Sequence, residues 1–145
     1  MPAKVFGLNK GVDREGALPL MRYVTDHNCN SEKDGWMPSK HKSDHIPVDP
    51  SEFGIPSSLV EAVNSFILSC IIRNLRGQAD KHSSMLIHVT RFNLVQKEIF
   101  NKVDAYIKLL SQKFIRNIGT DPFINEFKTL WFKDFIPSSE AIKQS

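Results

Sequence analysis

Cysteine is nearly absent from this chain. Cys29 and Cys70 are its two, far apart in sequence and in no Cys-x-x-Cys arrangement. A disulfide framework is therefore not expected, and the setting read from this usage is reducing and cytoplasmic. Cys70, in the most apolar stretch, reads as a buried thiol. No run of eighteen apolar residues occurs, so no membrane span is expected. The first eight residues, Met1 to Leu8, hold no signal-peptide core. There is no Ser-His-Asp string, no dinucleotide fingerprint, no internal repeat and no low-complexity tract.

A phosphate-binding loop is also missing. Such a loop needs Gly-x-x-x-x-Gly-Lys-Ser/Thr, because backbone N–H groups wrap the phosphates while the Lys and the hydroxyl complete the site. Gly11 and Gly16 have the spacing, but Ala17 and Leu18 follow where Lys and Ser/Thr are required. The match is a decoy, and no ATP or other cofactor is expected to bind this chain alone.

What is present is a chain of 145 residues, one domain's worth, with ten Phe and a formal net charge of +3. The charge is unevenly spread. Residues 1–56 hold seven Lys/Arg against eight Asp/Glu, residues 57–120 nine against four, and residues 121–145 three against four. The positive excess sits on the centre, which is compatible with a polyanionic partner and equally with a solvated helical surface.

The first part of the chain shows little periodicity. Val5-Phe6 could form a short strand, and Leu18, Leu20, Met21 and Val24 one irregular helix. From Asn28 to Pro56 the sequence is polar and loop-like, broken by Pro38, Pro47, Pro50 and Pro56. A loop of that length is uncommon inside a compact domain. Residues 1–54 are therefore read as an irregular segment belonging to a larger upstream domain, and the chain as a piece of something longer.

The centre is clearer. Ser58 and Glu61 have capping-box spacing, Pro56 precedes them, and Gly77 stands where a left-handed helix cap is expected. Phe66, Ile67, Leu68, Cys70, Ile71 and Ile72 make this helix apolar around most of its circumference, which predicts burial on more than one side. Phe66 and Ile71 are expected in the core. Met85 to Val89 reads as a short, buried, central strand. Phe92, Val95, Ile99, Val103, Tyr106 or Ile107, and Leu110 then recur at helical spacing, predicting a helix over 93–113. Asp121-Pro122 opens a further helix with an apolar face of Phe123, Ile124, Phe127, Leu130 and Trp131. A last short helix is expected from Ser138 or Ser139. The pattern predicts a helix-rich α/β fold over 55–145, built on a helix–strand–helix core with C-terminal helices.

In an open α/β sheet, ligands bind at the strand exit. Here that exit carries Thr90, Arg91 and Gln96. A helix N-terminus binds phosphate readily, and Arg91 adds a charged fork suited to phosphate oxygens. The plainer reading is that Thr90 caps the helix and Arg91 pairs with a surface carboxylate. His88 could point to the same site, although a strand histidine is more often a hydrogen-bonded core residue. His41, Asp44, His45 and Asp49 form the densest set of possible metal ligands, but in a loop read as solvated, and no metal is assigned. Glu126-Phe127-Lys128 after Asp121 has the letters of a restriction-type nuclease site, yet its helical periodicity would not converge those groups. Trp131 reads as core. Trp36 reads as a contact residue or one packing against another domain.

Ile55-Pro56-Ser57-Ser58-Leu59 with Glu61-Ala62, Leu75-Arg76-Gly77, and Ser84-Met85-Leu86-Ile87-His88-Val89-Thr90-Arg91-Phe92 with Gln96 resemble the Z-one domain family. The tail Leu130-Trp131-Phe132-Lys133-Asp134-Phe135 is similar to that family too, as are His41-Lys42 and His45. Members are described as endonucleases associated with a helicase-type P-loop ATPase region, in bacterial restriction, repair or phage defence. The resemblance implies a partial P-loop-type core like the second motor domain of superfamily-two helicases, with residues 85–96 as its nucleic-acid-contacting element. It implies DNA as partner, met through phosphates by Thr90, Arg91, Gln96, His88 and Arg76. It further implies an upstream ATPase region as partner, with ATP and magnesium as cofactors of the longer proteins. The competing expectations are a scaffold module without a nucleic-acid site and a metal-dependent nuclease in its own right.

Overall fold

The computed structural model describes residues 22–27 and 34–144. The readings made on Val5-Phe6, Gly11 to Leu18, Leu20, Met21 and Cys29 lie outside the described residues. The chain divides into two compact units. One comprises Val24–Asp121 and the other Met1–Tyr23 with Pro122–Ser145.

The unit Val24–Asp121 is built on two helices, α1 (Ser57–Leu75) and α2 (Asn93–Arg116). α1 begins after Pro56, whose fixed φ of −58° leads the chain into the first turn. Ser58 does not form the expected capping box. Its hydroxyl donates to Asp26 Oδ1 at 2.6 Å, and its backbone N–H donates to Asp26 Oδ2 at 2.8 Å. A carboxylate from 32 residues upstream thus satisfies a free donor of the first turn. Spacing within the helix could not reveal a partner so distant.

Both helices end in the same way. Beyond α1, Gln78 N–H donates to Arg73 O at 2.9 Å and Gly77 N–H to Asn74 O at 3.0 Å, with Gly77 at φ +75°. Beyond α2, Ile118 N–H donates to Lys113 O at 3.1 Å and Asn117 N–H to Phe114 O at 3.2 Å, with Asn117 at φ +52°. These are Schellman closures, one on glycine and one on asparagine, the two residues best suited to the left-handed region.

The core of this unit draws on three segments. α1 supplies Val60, Val63 and Asn64; α2 supplies Val95, Ile99, Val103, Tyr106 and Leu110. Of the two residues left open at one position of the α2 stripe, Tyr106 faces inward and Ile107 is exposed. The third segment is the proline-rich stretch before α1. Trp36, Met37, Pro38, Pro47 and Ile55 are all buried. The loop is pinned by Met37 N–H to His27 O at 3.0 Å and Val48 N–H to Gly35 O at 3.1 Å. Trp36 is therefore a core residue of its own unit, contrary to the expectation of an external contact.

Two further expectations, both about the burial of α1, fail: burial on more than one side, and Phe66 with Ile71 in the core. α1 is not buried on more than one side: its second half holds no buried residue, Phe66 is half-buried and Ile71 is 45% exposed. All the buried residues of the helix lie in its N-terminal half. α1 is also long and apolar enough, by length and composition alone, to cross a bilayer, although no unbroken run of eighteen apolar residues exists. Val60, Val63 and Asn64 nevertheless engage one face of it within the unit.

The larger correction concerns fold class. Among the described residues there is no strand and no sheet, so the α/β, P-loop-type helix–strand–helix core is absent. Residues 84–89 are irregular, and no backbone group of theirs bonds to another described backbone group. Their composition suits a strand, but a strand exists only where a second extended segment completes its ladder. The segment is also exposed rather than central.

In the unit Met1–Tyr23 with Pro122–Ser145, α3 (Asp121–Leu130) passes through a π-turn (Trp131–Phe135) into α4 (Ile136–Gln144). Leu130 and Ile136 both keep right-handed helical angles, so the run is continuous. Pro137 explains the widened turn: it has no N–H to give to the carbonyl four residues before it. The hydroxyl of Ser138 donates to Asp134 O at 2.7 Å, and Asp134 pairs with Arg22. Phe123 and Leu130 are buried. Trp131, expected in the core, is instead exposed and stacks on Phe135 with ring centroids 6.0 Å apart. The last helix starts earlier than Ser138 because the π-turn carries the preceding helix into it.

Candidate nucleic-acid interface

The turn from Thr90 to Gln96 joins the exposed segment to α2. Thr90 is buried, and its hydroxyl and carbonyl are both engaged. Its hydroxyl oxygen lies 2.8 Å from His41 Nε2 and accepts the Phe92 N–H at 3.3 Å. Its carbonyl accepts from Gln96 Nε2 at 2.5 Å. His41 Nδ1 lies 2.7 Å from the Pro38 carbonyl, which can only accept. In the neutral ring this assigns the proton to Nδ1, so Nε2 accepts the Thr90 hydroxyl proton. The imidazole also meets Phe92 edge-on, with centroids 5.5 Å apart. His45 lies beside it and donates through Nε2 to the carbonyls of Gly35 and Trp36, both at 3.1 Å.

The loop is exposed at Ser39, Lys40, Lys42, Ser43 and Asp44, as expected, but its two half-buried histidines are bonded inward, and His41 fastens the base of the turn. His41, Asp44, His45 and Asp49 do not converge. Among the described residues no group of three or more His, Cys, Asp or Glu is placed to hold a metal ion.

α2 starts at Phe92, whose extended backbone (φ −89°, ψ 119°) makes it the N-cap, and no side chain caps this end. Thr90 bonds to Phe92 rather than to the first turn, so it closes a short turn ahead of the helix. The first turn carries no acidic residue. The first N–H groups of this 24-residue helix therefore have no side-chain acceptor and form a locus of partial positive charge. Arg91 is exposed, with its guanidinium carbon 5.0 Å from the centre of the Phe92 ring. Among the described residues no carboxylate pairs with it.

Of the five residues expected to contact nucleic acid, Thr90, Arg91 and Gln96 come together here. The Thr90 hydroxyl and carbonyl and Gln96 Nε2 are bonded to each other, to Phe92 N–H and to His41, and Arg91 is the fully exposed member. His88 is exposed on the irregular segment and is no core histidine. Arg76 lies at the other end of α1, exposed, where its N–H donates to Ile72 O at 3.0 Å. Nearby in sequence, Arg73 Nη1 donates to Ser83 Oγ at 2.7 Å and to His82 O at 3.3 Å. Sequence reasoning missed Phe92 as the ring beneath Arg91, though the adjacent Arg-Phe pair was a legible signal. It also missed His41, 49 residues from its partner, for which no local signal exists.

Residues 58–145 match the Z1 domain, and the chain belongs to that family. No curated protein matches the chain. No solved structure matches it either.

Proposed function

We propose that the chain contacts the sugar–phosphate backbone of DNA through Arg91 and the N-terminus of α2, as the nucleic-acid-contacting part of a DNA-processing machine. The observation that carries this reading is an exposed arginine with no acidic partner among the described residues, beside a helix end that no side chain caps. An anion suits both features, because the guanidinium offers paired donors and the helix end offers N–H groups. Net charge on residues 57–120, nine Lys/Arg against four Asp/Glu, favours a polyanion. The family resemblance supplies the class of process: restriction, repair or phage defence, with ATP and magnesium handled by an associated ATPase region. Phe92 keeps the guanidinium plane oriented, and His41 and Gln96 keep the turn in place.

Such binding is independent of sequence, because phosphates carry no base identity. It weakens steeply with salt as counterions are no longer released to advantage. The test is a salt titration of wild type and Arg91→Ala on unrelated duplexes. The variant is expected to bind all of them more weakly, with a salt slope lower by roughly one. Superimposable curves would remove Arg91 from the site. No binding by either protein at low salt would favour the scaffold reading, to which the exposed apolar residues of α1 and of segment 84–89 lend independent weight.

A further inference from the structure

α2 presents two apolar stripes. One, from Val95 to Leu110, is buried against its own unit. The other is Phe100, Ile107 and Phe114, which are 67%, 42% and 41% exposed. Seven residues separate each of these from the next, a step that leaves side chains within about 20° of one another round a helix. An apolar stripe open to solvent marks an interaction face. Apolarity alone names no partner for it, but the charges beside it do.

Lys108 Nζ and Asp104 Oδ2 form an ion pair at 2.6 Å along the helix, with 71% and 38% of their side chains exposed. At 3.6 residues per turn, Asp104 and Lys108 stand about 60° and 100° round from Ile107, on the same flank of the stripe. The buried residues of α2 all stand on the other flank. The ion pair is therefore on the side of the stripe away from the core.

We infer that the Phe100–Ile107–Phe114 face of α2 is a homodimer interface, which packs antiparallel against the same face of a second copy of this chain. The two-fold axis passes beside Ile107, normal to the plane of the two helices. Ile107 then meets its own copy, and Phe100 lies level with the partner's Phe114. Such an axis keeps every residue on its flank, so the two Asp104–Lys108 flanks stand side by side. Asp104 lies three residues from the axis, and the partner's Lys108 lies one residue from it in the same direction. The two are therefore offset by only about 3 Å along the pair, within reach of a lysine side chain. Each carboxylate then has one ammonium on its own helix and one on the partner's. The register that joins the apolar stripes is thus also the one that joins opposite charges, and this favours a second copy over a foreign helix. The contact is isologous and closes at two copies.

The inference does not depend on nucleic acid, and it is tested without it. Light scattering on the full chain measures mass against concentration, and circular dichroism checks the helices. Wild type is expected to reach twice the 16.5 kDa chain mass. Ile107→Glu sets two carboxylates against each other at the axis and is expected to run as a monomer with its helices intact. Asp104→Lys and Lys108→Asp each leave like charges across the pair. Alone, each should dimerise about tenfold more weakly than wild type. Mixed in equal amounts, they should recover the dimer, because each supplies the sign that the other lacks. A purely intrahelical role for the ion pair gives no such recovery. A wild type that is monomeric at every concentration would overturn the inference. So would a dimer that survives Ile107→Glu with its helices intact, or a mixture that associates no better than its two components.

Discussion

The Tyr106 hydroxyl donates to Asn64 Oδ1 at 2.8 Å, joining α2 to α1 inside a largely apolar core. Both residues are buried, so neither has water as an alternative partner. Tyr106→Phe keeps the ring, and with it the 5.0 Å contact to Phe53, but removes the donor. It is expected to cost about 1–3 kcal/mol, because the buried Asn64 Oδ1 then loses this donor. Urea unfolding followed by circular dichroism reads the change. A smaller loss for Tyr106→Phe combined with Asn64→Leu than for Tyr106→Phe alone would locate the cost at the Asn64 amide.

Thr90 and His41 make a parallel case at the candidate interface. Thr90→Val preserves shape and removes the hydroxyl, leaving His41 Nε2 without its donor and the Phe92 N–H without its acceptor. The expected loss is about 1–2 kcal/mol in the same unfolding assay. His41→Ala should cost more, since the edge contact to Phe92 goes with it. Loss of DNA affinity in either variant at temperatures where it remains folded would mark the turn's placement, not its chemistry, as the cause.

Asp26 gives the chain a pH dependence of known sign. Partial burial pushes its carboxyl pKa up, but the hydrogen bonds from the Ser58 hydroxyl and backbone N–H outweigh this and hold it below the usual carboxylate value. A depressed folded-state pKa stabilises the fold above the unfolded-state value of 3.8, and that contribution is lost as pH falls through the folded value. The stability difference between wild type and Asp26→Asn should therefore be largest near neutrality and shrink below about pH 4. A difference unchanged from neutral to acid pH would show that the carboxylate charge is irrelevant to this cap.

Gly77 offers a test of backbone strain alone. It stands at φ +75°, and a methyl group added there would meet nothing within 4 Å. Gly77→Ala should thus cost about 1–2 kcal/mol, the penalty of a side chain in the left-handed region. Asn117→Gly at the equivalent point after α2 should be neutral or slightly stabilising. Equilibrium unfolding of the two variants beside wild type checks both signs.

Much of the helical frame was legible from local signals. Pro56 and Gly77 bracket α1 almost to the residue, and the stripe from Val95 to Leu110 placed α2. The strand over Met85–Val89 was not correctly legible, because propensity describes only one side of a ladder and the partner lies outside local sequence. Burial of α1 was overread for a related reason: an apolar circumference states what a helix could bury, not what the rest of the chain supplies to cover it. Asp26 under Ser58 and His41 under Thr90 were invisible because contacts 32 and 49 residues apart leave no periodic trace. Arg91 beside an uncapped helix end was legible in outline, since the Thr-Arg-Phe sequence and the following helix were both read.

The two tryptophans fall one to each unit, and their surroundings differ. Trp36 is 3% exposed in the unit Val24–Asp121, while Trp131 is 36% exposed in the other. Each unit therefore carries its own intrinsic fluorophore, the first emitting toward the blue and shielded from acrylamide, the second red-shifted and open to quenching. A single emission spectrum recorded through an unfolding transition can be resolved into two traces. Coincident traces would make the units one cooperative body, and separated ones would give each its own melting point without cutting the chain.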